Sequence, residues 1–223
     1  MKEYQQCARC VMDTTDPDIQ FDGEGVCNHC KSAKDFVDNL RKRKKEFDLD
    51  AYVRQMKRDG QGKEYDCVAG ISGGVDSCYV ICKLRSLGIR TLAVHIDNGW
   101  NTELSVYNIK KLMELTDTDL YTYVLNWQEF RDLQLAFLKA STPDSEIPTD
   151  QFISPTLALV ADHYHVKYIV TGVNSETESI MPRAWSHGHT DWKYVKDIHK
   201  KYGTLPLKTY PYFTRMTRYY FNK

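Results

Sequence analysis

The spacing of apolar positions changes twice along the chain. Up to position 31 no period holds, and polar turns such as DTTDPD and FDGEG separate single apolar residues. From Ser32 to about Gly60 the segment is charged, with Phe36, Val37, Leu40, Phe47, Tyr52, Val53 and Met56 forming a stripe. That spacing predicts a helical connector over 32–62 between a small module at 1–31 and a larger domain at 63–223.

From Tyr65 a second rhythm takes over. The apolar runs YDCVAGI, RTLAVHI, DLYTYVL and VKYIVTG predict strands over 65–71, 90–96, 119–125 and 166–172. Between them the pattern predicts helices over 75–87, 101–116, 127–140 and 150–165, the first of them stopped by Gly88. Strands alternating with helices predict an α/β fold, a doubly wound parallel sheet covered on both faces. Such sheets bind ligands at the carboxyl ends of their strands. Three polar, glycine-bearing turns fall on that edge: SGGVDS after the first strand, DNG after the second and TGVN after the fourth. After Thr177 the pattern thins into a stretch rich in His, Trp and Arg.

Composition narrows the chemistry only a little. Thirty basic and thirty acidic residues cancel, so overall charge favours neither nucleic acid nor a membrane surface. The basic run RKRKKEF, Arg41 to Phe47, reads as a solvated helix end, with RNA contact as the alternative. No apolar run reaches the roughly eighteen residues of a membrane span, and the start MKEYQQC has no signal-peptide core, so a cytoplasmic protein is expected.

Seven cysteines in such a protein point to metal or thiol chemistry before disulfides. CARC places Cys7 and Cys10 two residues apart, and CNHC does the same for Cys27 and Cys30, with sixteen residues between the pairs. Two such pairs can set four thiolates around one tetrahedral ion, with structural zinc expected ahead of an iron–sulfur cluster. Four thiolates leave no open position, so the site predicts a scaffold role, with His29 beside the ligands. Cys67, on a strand, reads as core, as do Cys78 and Cys82, which share one helical face; a thiolate near a helix N-terminus is the alternative for Cys78.

The stretch Ser72, Gly73, Gly74, Val75, Asp76, Ser77 is the sharpest signal. Glycines let backbone N–H groups approach an anion, and the following helix adds its N-terminal dipole. The two serines supply hydroxyls, and Asp76 suits a magnesium ion bridging phosphates. The kinase-type string G-x-x-x-x-G-K-[ST] does not occur in the chain.

SGGVDS resembles the pyrophosphate loop of the PP-loop ATP pyrophosphatases, a group holding NAD synthetases, GMP synthetases, asparagine synthetases and tRNA thiolases. TGVNSETE is similar to the loop after the fourth strand in the NAD-synthetase branch. The ordered set CARCVMDTTDPDIQFDGEGVCNHC, SGGVDS, HIDNGWNTELSVYNI, PTDQ and TGVNSETE resembles, over roughly 4–215, the N-acetyl sugar amidotransferases of surface-polysaccharide (lipopolysaccharide) biosynthesis.

That resemblance implies a carbon–nitrogen ligase acting with ATP, Mg²⁺ and Zn²⁺. It would turn the acetamido group of an N-acetylated, nucleotide-linked sugar into an acetamidino group through an adenylated intermediate. Ammonia would come from a glutaminase with a channelling synthase subunit, and a homodimer is compatible. The resemblance assigns Ser72, Gly73, Gly74, Val75, Asp76, Ser77, His95, Ile96, Asp97, Thr171 and Gly172 to ATP. It assigns chemistry to Asp76, Ser77, Asp150, Asn174 and Glu178, and the sugar to Trp100, Arg183, Trp185 and His187. Read from the residues alone, Asp150 is equally a helix N-cap, Glu176 and Glu178 a solvated loop, and Trp100 core packing. His189 and Asp191 complete the expected acceptor stretch. The alternative activity is tRNA 2-thiolation by the same adenylation step.

Overall fold

The computed structural model describes residues 3–174, 178, 182, 184 and 191–213. The expected acceptor residues Arg183, Trp185, His187 and His189, and Glu176, lie outside the described residues. The chain divides into two compact units, Met1–Asp48 with Asn174–Gly188, and Leu49–Val173 with His189–Lys223.

The first unit is built on its cysteines. Antiparallel bridges join Gln6 to Asp13 and Phe21 to Cys27, and Cys7, Met12, Ile19, Cys27 and Cys30 form a small buried cluster. Helix α1 (Asn28–Glu46) starts at Cys27, whose side chain accepts from the Cys30 N–H, and it ends in Arg43, Lys44 and Lys45, cations beside the negative helix terminus. Among its residues only Cys30 is buried, so α1 is anchored through the cysteine cluster.

The second unit carries α2 (Leu49–Asp59), β1 (Cys67–Gly70), α3 (Val75–Ser86), β2 (Thr91–Asp97), α4 (Glu103–Thr116), β3 (Asp119–Val124), α5 (Trp127–Lys139), α6 (Ile147–His163), β4 (Tyr168–Val170) and α7 (Trp192–Tyr202). The strands form one parallel sheet in the order β3-β2-β1-β4, with Cys67 opposite Thr91 on one side and Tyr168 on the other. Alternation along the strands feeds two faces. Cys67, Ala69 and Ala93 pack with Met56, Ile81, Leu84 and Ile109 of α2, α3 and α4. Val68, Leu92 and Val94 pack with Leu157, Val160 and Ala161 of α6. Each fully buried valine, leucine, isoleucine or methionine among them contributes about 1.5–3 kcal/mol. The doubly wound parallel sheet expected from the sequence is therefore present.

A third cluster joins α5, α6 and α7 through Phe130, Phe137, Phe152 and Val195, with Tyr210 from the tail. Two buried carboxylates of α5, one turn apart, fasten that tail. Glu129 accepts from the N–H groups of Lys208, Thr209 and Tyr210. Asp132 accepts from the Thr204 and Leu205 N–H groups, the Thr204 hydroxyl and His199 Nε2.

Three differences from the sequence expectation have local causes. Helix α6 begins at Ile147, with Pro148 in its first turn, where a missing N–H costs nothing. Asp150 is therefore no N-cap: its N–H already bonds the Glu146 carbonyl. Helix α7 was not legible as a helix, and Asp191, expected in the acceptor stretch, is its N-cap, accepting from the N–H groups of Lys193 and Tyr194. Strand β4 keeps only three residues of the expected seven. No helix among the described residues is long and apolar enough to cross a membrane.

Candidate functional site

From β1 the chain winds through β2 to β3 on one side, while β4 lies on the other side of β1. The carboxyl ends of β1 and β4 thus flank the point where the winding reverses, the place where open α/β sheets form their binding crevice. The turn Ile71–Gly74 leaves β1 there and leads into α3, and Thr171 and Gly172 leave β4 beside it.

The turn is shaped as an anion cradle. Gly73 has φ +80°, the left-handed region open to glycine, and a Cβ there would run into the Ser105 backbone of α4. Gly74 is the N-cap of α3 and contributes no side-chain cap, so the first N–H groups of the helix stay available. The donors of the turn pair with one another. Ser72 N–H donates to Ser77 Oγ at 3.2 Å, the two hydroxyls stand 3.1 Å apart, and Gly74 N–H reaches Ser72 Oγ at 3.4 Å. These are long contacts on an exposed turn, and a phosphate oxygen can replace them with shorter charge-assisted bonds. Asp76 sits exposed in the first turn of α3, and among the described residues its carboxylate has no partner. That fits a carboxylate kept for a magnesium ion arriving with phosphates.

Beside the turn lies a cleft of about 270 Å³, just below the usual range for ligand sites. Ser72, Ser77, His95, Ile96, Thr171 and Gly172 of the sequence-predicted residues line it. Its apolar wall comes from Val94 and from Phe152, Ile153 and Leu157 of α6, and Asn98, Asn101 and Thr149 add polar atoms. Asn98, Asn101 and Thr149 lie within the quoted HIDNGWNTELSVYNI and PTDQ stretches, whereas Phe152, Ile153 and Leu157 of α6 carry no motif. His95 is buried, and its Nδ1 stands 3.2 Å from the Ile71 carbonyl oxygen. A carbonyl only accepts, so Nδ1 donates in this contact.

Other expected residues stand apart from this lining. The Asp97 carboxylate holds its own turn, accepting from Gly99 N–H at 3.0 Å and Asn101 Nδ2 at 2.9 Å. Trp100 is 64% exposed, donates its indole N–H to Gln134 Oε1 and meets Trp127 edge to face; it is a fixed surface aromatic and not a core one. Asn174 and Glu178 belong to the first unit and bond each other through backbone and carboxylate.

The first unit brings its four cysteines together. Their sulfurs lie within 4.8 Å of one another, with Cys7 to Cys30 at 4.0 Å and Cys10 to Cys27 at 3.6 Å. A tetrahedral ion with zinc–sulfur bonds near 2.3 Å sets sulfurs about 3.8 Å apart. The N–H groups of Arg9 and Cys27 point at Cys7 Sγ, and that of Cys30 at Cys27 Sγ. Burial opposes a thiolate at Cys7, yet the amides of Arg9, Cys27 and Cys10 bring it down to about 6. Cys30 moves the other way, pushed up by burial and by the three sulfurs around it. Four thiolates at this spacing coexist only around a cation, and the donor set fits zinc. His29 is outside the four-cysteine group, and its Nε2 pairs with buried Asp16 Oδ2 at 2.6 Å.

Cys78 is half-buried, and its thiol is pushed up by burial and then by Cys82, one turn along α3.

No family model and no curated protein matches the chain. Among solved structures it is similar to the NMN synthetase of Francisella tularensis, at 18% identity and TM-score 0.41, over 58% of this chain and 56% of that one. It is also similar to the glutamine-dependent NAD⁺ synthetase of Acinetobacter baumannii, at 13% identity and TM-score 0.46, over 70% of this chain and 33% of that one. The NH3-dependent NAD synthetase of Campylobacter jejuni gives 14% identity and TM-score 0.43, over 70% of this chain and 73% of that one.

Proposed function

We propose that the chain is an ATP-dependent ligase of the pyrophosphate-releasing kind, which converts the acetamido group of an N-acetylated sugar to an acetamidino group. The observation that carries the reading is the Ser72–Ser77 turn, self-paired at the N-terminus of α3 and opening onto a cleft with an apolar wall at the switch point of the sheet. The turn would hold the β- and γ-phosphates, and the wall of Val94, Ile96 and Phe152 would take the base. The ordered motifs quoted above supply the choice of acceptor.

In the first step the acetamido oxygen attacks the α-phosphorus of ATP and pyrophosphate leaves. Ammonia then adds to the activated carbon, AMP departs with the oxygen, and loss of a proton leaves the amidine. An amide carbonyl is a poor electrophile, so adenylation supplies the leaving group. The chain contributes positioning and charge stabilisation: Ser72 and Ser77 hydroxyls and the α3 amides face the pyrophosphate. Asp76 would hold magnesium, which neutralises phosphate charge when bound. Zinc at Cys7, Cys10, Cys27 and Cys30 would fold the first unit.

The placement of Cys78 and Cys82 favours this reading over tRNA thiolation, because a sulfur carrier must reach the reacting carbon and neither cysteine lines the cleft. The test is formation of AMP and pyrophosphate with ammonium chloride, a panel of N-acetylated sugar nucleotides and, in parallel, bulk tRNA. AMP appearing only with a sugar, together with exchange of one oxygen for NH in the product, supports the proposal. AMP appearing only with tRNA overturns it.

A further inference from the structure

The peptide between Gly73 and Gly74 is held from outside the turn. Its carbonyl end, Gly73 O, accepts from Asn108 Nδ2 at 3.1 Å, thirty-five residues away in sequence. Its other end, Gly74 N–H, points at Ser72 Oγ, a cleft-lining residue. In a trans peptide the C=O and N–H point in opposite directions. Fixing the carbonyl on α4 therefore fixes the N–H on the side of the cradle. Gly73 can rotate more freely than any other residue type, and a flip of this one peptide would turn a carbonyl oxygen toward the bound anion. A lone pair facing a phosphate oxygen repels it, where the N–H attracts it.

We infer that Asn108 is a positioning residue for the anion site: its amide holds the Gly73 carbonyl on α4 and keeps the Gly74 N–H turned to the phosphates. Close packing of Gly73 on Ser105, one turn before Asn108, brings the two within reach. Asn108 lies within the quoted HIDNGWNTELSVYNI stretch, yet the resemblance assigns it no task. The inference rests on the proposal that the turn binds the pyrophosphate part of ATP, and it names a residue that this proposal does not require.

Two substitutions separate positioning from plain stability. Asn108→Asp keeps the shape and replaces the donor with an oxygen that repels the Gly73 carbonyl, and Asn108→Leu keeps the approximate volume and removes the donor. Titration calorimetry with inorganic pyrophosphate and, separately, with adenosine reads the effect, alongside thermal melting. Wild type is expected to bind both probes. Both variants are expected to lose about tenfold in pyrophosphate affinity, the scale of one hydrogen bond, with Asn108→Asp the weaker binder. Adenosine affinity is expected to stay within about twofold, because no phosphate is involved. Unchanged pyrophosphate affinity in both variants overturns the role of Asn108 and leaves the proposed function standing. A parallel fall in adenosine and pyrophosphate affinity also overturns it, since that is what general loosening of the unit produces. Wild type that binds no pyrophosphate overturns the anion site and this inference together.

Discussion

Gly172 lies against the backbone of Asp76. A Cβ at position 172 would stand 3.0 Å from the Asp76 carbonyl carbon and 3.0 Å from the Ser77 nitrogen. The segment leaving β4 thus touches the first turn of α3, and the two walls of the crevice are spaced by backbone on backbone. Residues 172 and 76 are far apart in sequence, so the contact depends on β4 pairing next to β1.

Gly172→Ala follows from that contact. The methyl group meets backbone on the α3 side, so either the 171–172 segment or the helix start must shift. Displacement of catalytic geometry on the ångström scale costs up to about a hundredfold in rate. AMP formation is expected to fall by at least about tenfold, while the melting temperature moves by only a few degrees, roughly the effect of 1 kcal/mol in a domain this size. A variant with unaltered turnover would show that the crevice tolerates widening.

The cysteine cluster predicts metal as well as fold. Purified protein is expected to carry about one zinc per chain, as a closed four-thiolate site requires. Cys10→Ser is expected to lower zinc content and to remove amide-exchange protection from the turns around Met12 and Ile19, which pack directly on the cysteines. Because a structural site supplies folding free energy outright, the loss should be confined to the first unit. Atomic emission and hydrogen exchange measure both. Full protection without metal would assign the cluster to packing alone.

Much of this molecule was legible in the sequence because its sheet interior is buried on both faces. Val68, Leu92 and Val94 on one side and Cys67, Ala69 and Ala93 on the other make unbroken apolar runs, which signal parallel strands. The Ser72–Ser77 turn was legible because its pattern is local: two glycines, two serines and an acid within six residues. The DNG and TGVN turns were legible as edge turns in the same way, but the α6 wall was not. Phe152 reaches the cleft from a helix whose start is hidden by Pro148. Asp97 and Asp191 show the converse. Both are acids near motif-like residues, and both carboxylates satisfy backbone N–H groups of their own turn or helix. Whether an acid caps or catalyses depends on which donors surround it, and that is a property of the fold.

Asp132 predicts how stability depends on pH. Burial opposes its ionisation, but the Thr204 hydroxyl, the Leu205 and Thr204 amides and His199 outweigh it and hold the carboxyl well below the usual carboxylate range. A depressed value means that the folded state favours the charged form. Its stabilisation is fully present above the unfolded value of about 3.9 and is lost as pH falls below that toward the folded value. Asp132→Asn is expected to cost about 2–4 kcal/mol at neutral pH, since it removes a charge that several donors face. It should also flatten the fall of melting temperature in acid. A variant whose acid limb keeps the wild-type slope would place that titration on other carboxylates.

Cys78 and Cys82 separate the two chemistries open to the proposed adenylation. Cys78 packs partly against the cluster around Ile81, and its thiol is disfavoured as a thiolate. Cys82 is exposed one turn further along α3. Neither lines the cleft. Sulfur transfer needs a thiolate that takes up and hands on sulfur at the reacting carbon, whereas ammonia brings its own nucleophilic nitrogen and needs no thiol. In the double variant Cys78→Ser, Cys82→Ser, sugar-dependent AMP formation is therefore expected to stay within about twofold of wild type, as for substitutions outside the reacting centre. Serine at half-buried position 78 would lower the melting temperature slightly, so turnover is compared well below it. Retained turnover assigns both cysteines to packing and the surface. Loss of turnover in a chain that still binds pyrophosphate would move the proposed reaction to sulfur chemistry.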